Sequence, residues 1–145
     1  MRSRKNGFTL VEIITVTFII AVLAFMAIVG TVTPRKAANE SNCQANLRTI
    51  GTGFELYAVK NGGIYAPDDS QIDLQFLIDA DCLHVDLIGR QLGNFNYQVG
   101  SIDPSGYDIR AMAVNQVLAD HNYRIITGAR LQRSDTPGDT NFKDF

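Results

Sequence analysis

From Phe8 to Val32 the chain runs 25 residues with a single charged side chain, Glu12. As a helix rising about 1.5 Å per residue, such a run exceeds the ~30 Å hydrocarbon core of a bilayer, so it can span a membrane. A lone carboxylate inside a span costs about 2.5 to 3.5 kcal/mol and marks a functional position by default. Something must compensate that charge.

The run constrains the rest of the fold. It takes up a fifth of the 145 residues without building a core, which leaves about 110 residues for one small soluble domain. Apolar content of 46% and charged content of 19% suit a folded domain. Removing everything before Phe8 would delete Arg2, Arg4 and Lys5 and take the net charge from −2 to −5. An acidic body argues against nucleic acid as a partner.

Two simple readings of the segment fit poorly. A secretory signal has an apolar region of about 7 to 15 residues before a small-residue cleavage site, whereas this run is longer and carries no clean A-x-A. A plain single-span anchor would be oriented by Arg2, Arg4 and Lys5 under the positive-inside rule. Arg35 and Lys36 beyond the span weaken that asymmetry, and a plain anchor gives Glu12 no purpose.

The stretch Lys5-Asn6-Gly7-Phe8-Thr9-Leu10-Val11-Glu12 resembles the prepilin leader and processing site of type IV pilins and of the related pseudopilins of type II secretion. The shared features are a short basic leader, a glycine before the cut, an aromatic first mature residue, a glutamate four positions later and an apolar helix. The resemblance implies that a membrane prepilin peptidase cuts between Gly7 and Phe8 and methylates the new amino terminus of Phe8. It also implies that Glu12 meets the α-amine of Phe8 on a neighbouring subunit as a helical filament assembles, which would neutralise the carboxylate.

On this resemblance residues 1–7 are a leader, 8–33 a transmembrane and filament-core helix, and 34–145 a pilin-like soluble domain. The product is a structural subunit, not an enzyme, with no cofactor and no metal. Its partners are further copies of itself, the inner-membrane peptidase and an assembly machinery with a separate motor. It starts as a single-pass membrane protein whose soluble domain is periplasmic or extracellular, and ends in a filament at the cell surface or in the periplasm. A pseudopilin acting in protein export is the nearest alternative, and a membrane-anchored binding module that never polymerises is the alternative from another class.

Beyond the span, Cys43, Leu47, Ile50, Phe54, Tyr57 and Ala58 recur at helical period, and Asn61-Gly62-Gly63 offers a left-handed stop. The expectation is one helix from Phe8 to about Lys60, with an interruption at Gly30 to Pro34, where a glycine, β-branched residues and a proline disfavour helix. Pilins often carry a mid-stem proline where this chain has Val29, so Pro34 comes late. Ser70-Gln71-Ile72-Asp73 resembles a capping box before a short helix, Leu74 to Ile78.

Phe95, Tyr97 and Val99 alternate with polar residues, Asp103-Pro104-Ser105-Gly106 marks a turn, and Tyr107, Ile109, Ala111 and Ala113 alternate again. With a third strand, Tyr123 to Gln132, the expected architecture is α+β. The long N-terminal helix, membrane-spanning in its first half and amphipathic in its second, packs on an antiparallel sheet of about three strands in a pilin-like lollipop.

The remaining signals are weaker. Cys43 and Cys82 lack metal or redox spacing; outside the cytoplasm they are a candidate disulfide, and otherwise two core thiols. Asp68, Asp69, Asp73, Asp79, Asp81 and Asp86 crowd one segment without EF-hand spacing, and Ser134 to Asp139 offers oxygens in a C-terminal loop where some pseudopilins bind calcium. His84 and His121 lack an obvious nucleophile or carboxylate partner. Arg110, Arg124, Arg130 and Arg133 lie on or beside the expected strands, and Asn39-Glu40-Ser41 matches a glycosylation sequon.

Overall fold

The computed structural model describes residues 7–29, 32–67 and 73–145. The chain forms two compact units that divide after Pro34. The first holds helix α1, Leu10–Val29. The second holds most of α2 (Val32–Lys60), a short α3 (Gln75–Asp79) and six strands: β1 Gln91–Leu92, β2 Phe95–Asp103, β3 Gly106–Ala113, β4 Tyr123–Ile126, β5 Arg130–Ser134 and β6 Phe142–Asp144. The class is α+β, as the sequence led us to expect.

Of the expected stem, α1 and α2 are described on either side of residues 30–31, and the first begins at Leu10 instead of Phe8. Pro34, expected as a breaker, lies within α2 as described, two residues after Val32. Gly30, the other expected breaker, lies outside the described residues, as do Ser70, Gln71 and Ile72 of the expected capping box and Asp68 and Asp69. From that box only Asp73 is described, and its carboxylate accepts the Gln75 N–H at 3.1 Å.

α2 ends as its sequence implies. Gly62 and Gly63 take φ of 69° and 95°, and the Gly63 N–H reaches back to the Ala58 carbonyl at 2.8 Å, the bond of a Schellman stop. Its apolar stripe faces the sheet: Cys43, Leu47, Ile50, Phe54 and Ala58 are buried and Tyr57 is partly so. Phe54 stacks on Tyr107 at 4.2 Å between ring centres and meets Phe76 edge-on at 6.0 Å.

The sheet is an antiparallel meander, with each strand beside the next in sequence. It has six strands where about three were expected. β2 and β3 form the expected hairpin, with Asp103 opposite Gly106 and the Asp103 carboxylate accepting the Ser105 N–H at 2.9 Å. A register shift between Val99 and Ser101 turns Ile102 inward after Tyr97, which strict alternation would not do. Gly100 sits at that shift, and a Cβ there would come within 2.8 Å of the Asp108 carboxylate.

The segment from Tyr123 to Gln132, expected as one strand, is a second hairpin. It turns at Gly128 and Ala129, both with positive φ, 81° and 52°. A non-glycine residue seldom adopts that conformation unless its surroundings impose it. Here the Gly128 N–H donates to Glu55 on α2 at 2.9 Å, and the Ala129 N–H donates to the Tyr107 hydroxyl at 3.0 Å.

Both cysteines are free, against the candidate disulfide. A Cβ built on Gly53 would lie 3.1 Å from the Cys82 carbonyl, so Cys82 packs at Gly53, ten residues and about 15 Å along α2 from Cys43. A disulfide needs Cα atoms within about 7 Å. Burial instead pushes the Cys43 thiol up to about 12 from its ordinary 9.0. It pushes the Tyr123 phenol up to about 12 from 10.0, and those of Tyr97 and Tyr107 upward too.

Such groups are neutral in both states below the unfolded pKa. Above it the unfolded chain loses protons that the folded chain keeps, so stability falls as pH rises. The denaturation midpoint is therefore expected to hold up to about pH 9 and then fall toward pH 12, with Cys43→Ala removing the earliest part of that fall, as read from urea melts at a series of pH values.

Candidate functional site

α1 is 20 residues long and about 30 Å at 1.5 Å per residue, the thickness of a hydrocarbon core. Among the described residues it is the one helix long and apolar enough to cross a membrane, with mean hydropathy 2.6 over Leu10–Ala27 and none of that window buried. A helix that is apolar all round belongs in lipid or among other helices. Its few polar side chains are satisfied within the helix: the Thr15 hydroxyl donates to the Val11 carbonyl at 2.8 Å and Thr17 to Ile13 at 2.9 Å. That leaves neither hydroxyl for lipid to strand.

Glu12 is held at the start of this helix by a device that sequence reasoning missed. Thr9 is the cap: its carbonyl accepts the Ile13 N–H at 3.3 Å, and its hydroxyl accepts the Glu12 N–H at 3.2 Å. In return Glu12 Oε2 accepts the Thr9 N–H at 2.7 Å and the Thr9 hydroxyl at 2.8 Å. This is a reciprocal capping box, and its signal, Thr-x-x-Glu before an apolar run, was present in Thr9-Leu10-Val11-Glu12. One carboxylate oxygen is used twice and the other is free to meet a cation.

Because the cap starts the helix at Leu10, Gly7, Phe8 and Thr9 lie outside it. The Gly7–Phe8 bond is thus in non-helical chain, with Phe8 84% exposed. A Cβ on Gly7 would meet nothing within 4 Å, so the fold places no demand for glycine there. Any such demand comes from what acts on the bond.

A scan against family models matches residues 2–28 to the prokaryotic N-terminal methylation motif. The chain carries the type IV pilin and pseudopilin leader. No curated protein matches the chain closely enough to count as a relative. The motif covers the leader and most of α1, residues 2–28 of the 145, and with the apolar helix it fits a membrane-anchored precursor of pilin-like or pseudopilin-like type.

The weaker sites resolve into structure. In the C-terminal loop, Lys143 pairs with Asp135. The fully buried Asn122 donates to the Pro137 and Asp139 carbonyls at 2.8 and 2.9 Å while accepting the Ala113 N–H at 2.8 Å. Several of the loop's oxygens thus already accept protein donors, and among the described residues no cluster of three or more acidic, His or Cys side chains suits a metal.

On the outer face of the sheet, Asp108 pairs with Arg110 at 2.7 Å and Arg124 at 3.6 Å, and Asp144 pairs with Arg130 at 2.7 Å. Arg133 lies over the Phe145 ring at 4.8 Å. Two carboxylates, Asp108 and Asp144, thus pair with three of the four arginines, which offsets about half of the positive charge a phosphate backbone would feel. His121 Nδ1 is 2.8 Å from the Ser134 carbonyl, and His84 is exposed. The Asn39 side-chain amide of the sequon donates to the Leu118 carbonyl at 3.3 Å.

Proposed function

We propose that this chain is a structural subunit of a type IV pilus-like filament, made as a precursor, cut between Gly7 and Phe8, methylated on the Phe8 amine and assembled through α1. The observation that carries this reading is the methylation motif at residues 2–28 running into an apolar helix that nothing covers. Burying such helices against each other supplies the driving force for a polymer. Glu12, fixed by its cap, offers its free oxygen to the α-amine of Phe8 on the next subunit. The soluble domain then lies outside the cytoplasm, and the work of extraction belongs to a separate motor.

The test is the intact mass of the membrane-purified protein from cells expressing a prepilin peptidase. The expected product begins at Phe8 and carries one added methyl group, while Gly7→Leu leaves the chain at precursor mass. A chain still beginning at Met1 alongside the active peptidase would overturn the reading.

A further inference from the structure

One end of the soluble domain shows apolar side chains on a rigid mount. Loop 114–122 is clasped to the β1–β2 turn: Asn94 Nδ2 donates to the Asn115 carbonyl at 2.8 Å, Asn94 Oδ1 accepts the Asn115 N–H at 3.0 Å, and the Asn94 carbonyl accepts the Val114 N–H at 2.8 Å. Within the loop, Asn115 Oδ1 accepts the Val117 N–H at 2.8 Å, and Ala119 is fully buried. Yet Val114 is 48% and Val117 65% exposed. A loop held this firmly does not expose valines for want of another conformation.

The loop is bonded to the first turns of α2. Lys36 pairs with Asp120 at 2.6 Å, Asn39 donates to the Leu118 carbonyl, and Glu40 Oε1 accepts the N–H groups of Asp120 and His121 at 2.7 and 3.2 Å. Lys36 follows Val29, the last residue of α1, by seven positions, so the chain keeps it within about 25 Å of the end of that helix whatever path lies between. The cation free to meet an anionic headgroup is Arg35, which is exposed; Lys36 and Asp120 offset each other, and the Glu40 carboxylate is turned into the loop by two backbone donors.

From this we infer that loop 114–120 is a membrane contact of the unassembled subunit, with Val114 and Val117 seated at the lipid headgroup boundary and Arg35 facing anionic headgroups. The contact rests on the reading of α1 as a membrane span. It would steady the soluble domain over the bilayer before extraction and be given up on assembly.

The chain contains no tryptophan, so single substitutions report their own surroundings. The full chain would be reconstituted at low density in phosphatidylcholine–phosphatidylglycerol vesicles with brominated acyl chains, as Val117→Trp, as Val59→Trp and as Phe18→Trp. Val59 is 80% exposed and lies about 35 Å along α2 from Lys36. The expected result is blue-shifted, lipid-quenched emission from Val117→Trp, water-like emission from Val59→Trp and the deepest quenching from Phe18→Trp.

Water-like emission from Val117→Trp beside a quenched Phe18→Trp overturns the contact and leaves the span intact. A blue shift that grows with protein density without lipid quenching also overturns it, by assigning the loop to a second copy. Unquenched Phe18→Trp removes the span and the contact together.

Discussion

Glu12→Ala is expected to yield a chain that is inserted and cut but does not enter filaments. On the proposed pairing, the substitution leaves the α-amine of the neighbouring Phe8 charged and buried without a partner, a loss of about 3–5 kcal/mol. At ~1.4 kcal/mol per factor of ten, assembly falls by about two to four orders of magnitude, read as the fraction of subunits in sheared filaments.

The capping box offers a way to separate charge from helix capping. Glu12→Gln can keep the reciprocal hydrogen bonds with Thr9, since glutamine also serves at that position, but it removes the charge. Thr9→Ala removes the cap and keeps the charge, at about 1 kcal/mol. Pairing with a neighbour's amine therefore predicts that Glu12→Gln fails nearly as badly as Glu12→Ala, while Thr9→Ala loses less than tenfold. The reverse order would assign Glu12 to helix initiation and sink the charge mechanism.

Phe54→Ala is expected to be the most damaging single change in the helix-on-sheet unit, Arg35–Phe145. Phe54 is fully buried, where α2, β3 and α3 meet through its contacts with Tyr107 and Phe76. Truncating a buried phenylalanine costs about 3–5 kcal/mol, against a total of about 5–15 kcal/mol for a typical domain. At a slope of ~2 kcal/mol/M the urea midpoint falls by about 2 M. Leu56→Ala, on the exposed side of the same turn, should move it little. Equal shifts would mean that the stripe does not hold helix and sheet together.

What could be read directly from the sequence was whatever a short window carries. The uncovered run of α1, the leader at Gly7-Phe8, the stripe from Cys43 to Ala58, the stop at Gly62-Gly63 and the β2–β3 hairpin all follow from composition, a period of 3.6 or 2, or a turn residue. Even the Thr9–Glu12 box was written in four consecutive residues and was passed over because the carboxylate was read for its charge alone.

The tertiary structure decided what depends on partners distant in sequence. Ala129 accepts a left-handed turn because Tyr107, 22 residues away, holds its N–H while Glu55 holds that of Gly128, and so one expected strand became two. β1 and β6 are two and three residues long, too short to show alternation, and exist through pairing with β2 and β5. Cys43 and Cys82 looked pairable in sequence, yet the approach of Cys82 to Gly53 sets them apart along a rigid helix. The sequence by itself determined that this chain has a pilin-type leader, an apolar helix with one carboxylate and a helix-on-sheet domain, because those are written in local chemistry. Strand number, thiol state and the clasped loop beside α2 were settled only by long-range packing, which no local window contains.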